Sequence, residues 1–196
     1  MIQTIAGLIL MGGSSSRMGG GDKALLPFAG ATILDAAIAR FEPQVSALAI
    51  SANGDPARLA RFRLPVLPDP ADEPKGPLGG VRAGLAWATS LKGVTHLATV
   101  PADAPSPPLD LVAQLAKAAG DSAAVAIGPD GIEPLHALWP IACAEALDAL
   151  IAGGVSSPKR ALERIEAAPA FFDARDAFLD VDTPDDLAAA KKLLGG

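Results

Sequence analysis

Two cationic side chains set among glycines and serines, directly after an apolar run, are the residues of this chain best suited to chemistry. Ile5 to Met11 reads as a buried-type strand, and the segment from Gly12 to Lys23 follows as a loop carrying Arg17, Asp22 and Lys23. Glycine lets a backbone approach a ligand closely and take up positive φ. Successive amides in such a loop form an anion-binding concavity, which Arg17 and Lys23 would complete. A triphosphate gripped at the end of a strand is the ligand class that needs both features. A P-loop would require a hydroxyl residue after its lysine, and Ala24 follows Lys23 here. The stretch Gly19 to Ala24 satisfies a loose GxGxxA pattern, but it begins well past the strand end and not in the tight strand-to-helix turn that motif needs.

In open α/β sheets, ligands lie outside the carboxyl ends of the strands, and acidic residues fall where such ends are expected. Asp69 follows a strand at Leu64 to Leu67, Asp103 follows one at His96 to Val100, and Asp180 and Asp182 follow Phe178-Leu179. Magnesium beside a polyphosphate takes only one or two protein carboxylates. Asp103 is the first candidate, because Pro101 and Pro105 fix its loop. Asp69 lies in Leu67-Pro68-Asp69-Pro70, where a turn residue and a ligand contact are both open readings. Asp182 either ligates magnesium or fixes the start of a last helix, at which Thr183 can cap and Asp185 and Asp186 suit the dipole. His96 and His136 make no metal pair and read as structural or rim residues. Lys159 and Arg160 either reach an anionic acceptor or form a solvated helix face.

The elements that must carry these residues alternate along the chain. Helical patterns cover Thr32 to Phe41, Pro56 to Phe62, Leu78 to Leu91, Leu109 to Ala119, Ala142 to Ile151 and Ser157 to Ala167, with Ser157 as a cap. Further strands are expected at Val45 to Ser51, Ala123 to Ile127 and Leu135 to Trp139, the last two joined by a turn at Pro129-Asp130-Gly131. Such alternation implies α/β layers around a largely parallel sheet. Residues 1–196 are expected to form one domain.

Half of the 196 residues are apolar, which suits a sizeable core. The net charge of −6 argues against a nucleic-acid or anionic-membrane surface, so any anion must be bound by local features. Cys143 is the single cysteine, which excludes an internal disulfide and a Cys-rich metal site; it reads as a buried small hydrophobe. No stretch resembles a signal peptide or is long enough to span a bilayer, and a cytoplasmic location is expected.

Leu10, Gly12, Gly13, Ser15, Arg17, Met18, Gly19, Asp22, Lys23, Leu25 and Leu26 match the pattern LxGGxSxRMGxDKxLL with one extra glycine before Asp22. This resembles the signature of the molybdenum cofactor guanylyltransferases, within the wider group of nucleotidyltransferases. The resemblance implies a Rossmann-like three-layer sandwich with a mostly parallel, mixed central sheet flanked by helices. It implies transfer of GMP from GTP to molybdopterin or the molybdenum cofactor, with release of pyrophosphate and use of Mg2+. Molybdopterin-handling proteins and recipient molybdoenzymes are the partners it suggests. By the same resemblance Arg17, Lys23 and Asp103 are catalytic. Leu10, Met11, Gly12, Gly13, Lys23, Ser51, Asp69 and Asp103 would bind the nucleotide, with Asp103 and Asp182 on the metal. It places the acceptor pocket along the part of the chain that contains His136. Gly76-Pro77-Leu78-Gly79-Gly80 resembles the family's Gly-Pro-Leu-Ala/Gly-Gly turn. The chain departs from the family at Asp180 and Asp182, where asparagines are usual, at Ser51, where an asparagine is usual, and at Met11, where alanine is usual. These changes bear on base selectivity, so a cytidylyltransferase acting on the same cofactor or on a sugar or polyol phosphate is the alternative. A non-catalytic nucleotide- or molybdopterin-binding protein is a further one.

Overall fold

The computed structural model describes residues 4–11, 22–70, 76–173 and 178–193. Its first strand, β1 (Thr4–Leu10), is apolar on both faces because both faces are covered. Ile5 and Ile9 point into one core, and Ala6, Leu8 and Leu10 into the other. Around it lie β4 (Ala47–Ser51), β5 (Val66–Leu67), β6 (Val94–Pro101), β7 (Ala124–Gly128), β8 (Gly131–Pro140) and β9 (Ala168–Phe171), while β2 (Pro27–Phe28) and β3 (Ala31–Thr32) form a separate small hairpin. The sheet order is β5-β4-β1-β6-β8-β7-β9. Only β8 runs against the others, pairing antiparallel with both β6 and β7. In register, Leu10 lies opposite Ser51 on one side and Pro101 on the other. The carboxyl ends of β4, β1 and β6 therefore share one rim.

Helices α1 (Ile33–Phe41) and α3 (Leu111–Ala119) cover the Ile5/Ile9 face, with Leu34, Phe41, Leu111 and Leu115 buried there. Helices α2 (Pro77–Thr89), α4 (Ala144–Ala152) and α5 (Pro158–Arg164) cover the opposite face through Leu78, Val81, Leu85, Leu147 and Leu162. This is a Rossmann-like three-layer sandwich with a mostly parallel, mixed sheet. A third, smaller cluster of Phe28, Ile33, Val181 and Ala190 joins the β2–β3 hairpin to α6 (Pro184–Leu193).

Five features depart from expectation. The β2–β3 hairpin is carried by two-residue strands, too short for any period, and turns on Ala29 and Gly30 at φ +46° and +81°; positive φ at both central residues suits the twist of flanking strands. Strand β8 starts at Gly131 and not at Leu135, because Pro134 sits in a bulge. Val125 pairs with Ala137 and Ala126 with Glu133, which leaves Pro134, Leu135 and His136 without partners in β7, and a proline that cannot donate to the ladder is tolerated there. Strand β9, parallel to β7, begins just past the expected helix end at Ala167, in a stretch where no element was expected, and contains Pro169. No strand forms at Phe178-Leu179. Ser157 also makes no side-chain cap; Pro158 starts α5 instead.

Helix α2 lies close on the sheet because residue 84 has no side chain. A Cβ there would stand 2.5 Å from Leu8 Cδ2 and 2.8 Å from Leu97 Cδ2, both on fully buried residues. Overpacking of this kind costs about 2–3 kcal/mol. Gly84→Val is expected to lower the urea midpoint accordingly with an unchanged slope; an unaltered midpoint would show that α2 can move off the sheet freely.

Candidate active site

The rim formed by β4, β1 and β6 collects most of the described residues singled out in the sequence. Asp103 sits in the loop after β6 between Ala102 and Ala104, both buried. The Ala102 amide donates to the Leu10 carbonyl at 3.0 Å, which locks this loop onto the end of β1. Across from it, Val181 is fully buried, and its amide donates to the Asp103 carbonyl at 2.9 Å. Asp180 and Asp182 thus flank a buried anchor held against Asp103, an arrangement made by one backbone hydrogen bond and not by the expected strand.

Lys23 begins a 3-10 turn, Lys23–Leu25, anchored by buried Ala24. Its ammonium donates to Asp182 Oδ1, with the Lys23 side chain only 14 % exposed. Asp186 fixes the other side of Asp182: its Oδ2 accepts from the amides of Asp182 (3.1 Å) and Thr183 (2.8 Å). The Asp186 amide donates back to Thr183 Oγ1 at 3.2 Å, a reciprocal capping arrangement for α6. The bonds from Thr183 hold the Asp186 carboxyl below its usual range.

Negative charge accumulates here. Burial raises the pKa of Asp103, Lys23 opposes the shift and Asp182 adds to it. Asp180 keeps solvent access on one side, yet the protein packed around its carboxyl and the charges of Asp103, Glu133 and Asp182 push it up to about 7. The donors are carboxylate oxygens, which suit a hard divalent cation. Among the described residues no three metal-capable side chains converge into a cage. A divalent ion that completes its shell with waters and substrate phosphates needs no such cage. The residues present fit such an ion.

On the β4 side, the Met11 amide donates to the Ser51 carbonyl at 2.9 Å, and Ser51 is buried. The first turn of α2 is seated directly on these residues: a Cβ at Gly80 would lie 2.4 Å from Ser51 Oγ and 2.9 Å from Leu10 Cδ2. Asp69 follows β5 and is held on two sides by Asn53, whose Nδ2 donates to Asp69 Oδ2 at 2.7 Å while its Oδ1 accepts from the Asp69 amide at 2.9 Å. Arg58 reaches the same loop and also Asp22, the residue before Lys23. Neither Asn53's grip on Asp69 nor the reach of Arg58 is signalled in the sequence, where Arg58 reads only as part of a short helix. Gly12, Gly13 and Arg17 lie outside the described residues.

Of the remaining candidates, His136 lies in the β8 bulge, 1 % exposed. Its ring meets the Phe178 ring edge-on, with centroids 4.9 Å apart. Burial takes its pKa down to about 3. His96 is buried in β6, and Lys159 and Arg160 are exposed on α5. Cys143 is half-buried, which pushes its thiol up to about 11 and makes it a poor nucleophile. No helix among the described residues is long and apolar enough to cross a membrane.

A mostly parallel sheet whose carboxyl rim gathers a lysine and several carboxylates defines an α/β domain of the nucleotidyltransferase type. The chain belongs to the MobA-like NTP transferase domain family, whose model matches residues 7–170. It is 43 % identical to the molybdenum cofactor guanylyltransferase of Mesorhizobium japonicum, over 99 % of this chain and 98 % of that protein. The molybdenum cofactor guanylyltransferase of Acidiphilium cryptum is 47 % identical, over 94 % and 92 %. Among solved structures, the molybdopterin-guanine dinucleotide biosynthesis protein A of Archaeoglobus fulgidus shares the fold with a TM-score of 0.75. It is 19 % identical, and the match covers 97 % of this chain and 98 % of that one.

The buried imidazole of His136 gives folding stability a pH response with a definite sign. The folded pKa of His136 is depressed below the ordinary 6.5 to about 3, so the unfolded chain takes up a proton that the folded chain refuses. Its stability contribution is full above about pH 6.5 and is lost as pH falls toward 3. Relative to His136→Leu, the parent is expected to lose stability progressively between pH 7 and pH 4 in denaturant titrations. Parallel curves for the two proteins would contradict a neutral buried ring.

Proposed function

We propose that this chain transfers GMP from GTP to the terminal phosphate of molybdopterin or the molybdenum cofactor, forming the guanine dinucleotide. The observation that carries the reading is the meeting of Lys23, Asp103 and Asp182 at one strand rim. It is supported by near full-length relatedness to proteins named molybdenum cofactor guanylyltransferase. An acceptor phosphate oxygen attacks the α-phosphorus; the bond from that phosphorus to the bridging oxygen breaks, and pyrophosphate leaves. No covalent intermediate on the protein is needed, because phosphoryl-type transfer depends mainly on positioning and charge neutralisation.

Lys23 holds phosphate oxygens as charge builds on them, and Arg17 offsets charge on the departing pyrophosphate. Leu10, Met11, Gly12, Gly13, Ser51 and Asp69 line the nucleotide. Asp103, with Asp182, would hold Mg2+. When bound, that ion shields the charge of the triphosphate and acceptor phosphate. The reaction belongs in the cytoplasm, where molybdopterin-handling proteins supply the acceptor and recipient molybdoenzymes take the product. The alternative of a cytidylyltransferase is favoured by Ser51 and by the acidic Asp180/Asp182 pair.

The test is turnover with molybdopterin, with and without molybdate, in magnesium and GTP, CTP, ATP or UTP, with products read by mass. A guanine dinucleotide from GTP alone is expected, and a cytosine product would overturn the base assignment. Lys23→Ala should lose about 3–4 kcal/mol of transition-state stabilisation, a fall in rate of about a hundredfold or more, with the fold intact. A variant that loses only some affinity while turnover persists would point to a binding protein instead.

A further inference from the structure

We infer that Arg58 and Asn53 act together as a positioning relay that fixes Lys23 and Asp69 relative to one another, and so sets the phosphate end and the nucleoside end of the site in one frame. The inference rests on the nucleotide reading above. Arg58 stands half-buried in the 3-10 turn Pro56–Phe62. Its guanidinium reaches three acceptors on two segments of the chain. Nε donates to Asp22 Oδ2 at 2.5 Å, Nη1 to the Asp55 carbonyl at 2.6 Å and Nη2 to the Asn53 carbonyl at 2.7 Å. Asp22 immediately precedes Lys23, so one end of this fork sets where the lysine starts. The other two contacts pin the loop after β4 in place.

The second half of the relay is the Asn53 carboxamide. It donates to the Asp69 carboxylate and accepts from the Asp69 amide, so both the side chain and the backbone of Asp69 are gripped by one planar group. On its far side Asp69 packs against the first turn of α2, where a Cβ at Gly79 would come within 3.1 Å of its Cγ. The carboxylate is thereby confined from two directions. Every link from Asp22 through Arg58 and Asn53 to Asp69 is a hydrogen bond of 2.5–2.9 Å.

Geometry, more than stability, is what this chain of contacts supplies. Arg58 and Asp22 keep side-chain exposures of 29 % and 31 %, and ion pairs this open add little to folding. A planar fork with several donors fixes direction as well as distance, which a lysine ammonium cannot reproduce. Arg58→Lys therefore keeps the charge beside Asp22 and loses the alignment.

The test titrates the parent, Arg58→Lys and Asn53→Ala with GTP and with inorganic tripolyphosphate, each in magnesium, by calorimetry, alongside melting temperatures. Loss of a hydrogen bond to a charged group typically weakens binding about tenfold or more. Arg58→Lys is expected to weaken both probes by about tenfold, because Lys23 and Asp69 both lose register. Asn53→Ala is expected to weaken GTP by about tenfold and leave tripolyphosphate within about twofold, with melting temperatures unchanged. Both variants binding both probes like the parent would overturn the relay, and so would an equal loss of both probes in Asn53→Ala, which is the signature of a merely structural role. A folded parent that binds neither probe would overturn the nucleotide reading itself and the relay with it.

Discussion

The site exists because a buried valine near the end of the chain is docked against the loop that follows the strand next to β1. Val181 fills the small core shared by Phe28, Ile33 and Ala190, and its amide closes onto the Asp103 carbonyl. With Val181 buried in that core, its two acidic neighbours lie exposed outside it. Asp103 for its part is carried by a turn whose flanking Ala102 and Ala104 are buried. Apolar anchors thus carry carboxylates to a place where carboxylates alone would not gather.

Gathering them has an electrostatic cost that the fold must absorb. Asp103 and Asp180 are both pushed toward their protonated forms, and the Lys23 ammonium opposes each shift. Its pairing with Asp182 holds a flexible four-carbon chain in one arrangement before any ligand arrives. Side-chain entropy is then already spent when a phosphate is bound. In a protein of net charge −6, local arrangement of this kind is the means by which an anion can be attracted at all.

How much of this was legible depended on the length scale of the signal. The apolar runs of β1 and β6 and the Thr183–Asp186 start of α6 are local patterns, and they appear where the sequence puts them. Asp103 and Lys23 could be singled out because they follow strands. The β2–β3 hairpin could not, since two-residue strands have no period. Strand β9 was hidden because Ala168 to Phe171 contains a proline that normally argues against a strand. The bulge at Pro134 to His136 disguised the first part of β8. Arg58 and Asn53 were illegible for another reason: their partners, Asp22 and Asp69, are distant in the chain, and a polar side chain carries no local sign of what it will meet. The Asn53 side chain, two residues past β4, is engaged by Asp69 across the rim.

Strand β9 also closes the sheet in a second sense. It is an edge strand of four residues with Phe171 73 % exposed, the kind of border on which another chain could pair. The amides of Ala168 and Phe172 point inward to the carbonyls of Ala123 and Ile127. By alternation, residues 169 and 171 face outward. Residue 169 is proline and has no amide to offer, so the free border presents a single outward donor, at Phe171. Backbone pairing between copies would lack half of its donors from this strand, and a border left unguarded by charge is guarded by the missing hydrogen of one ring nitrogen.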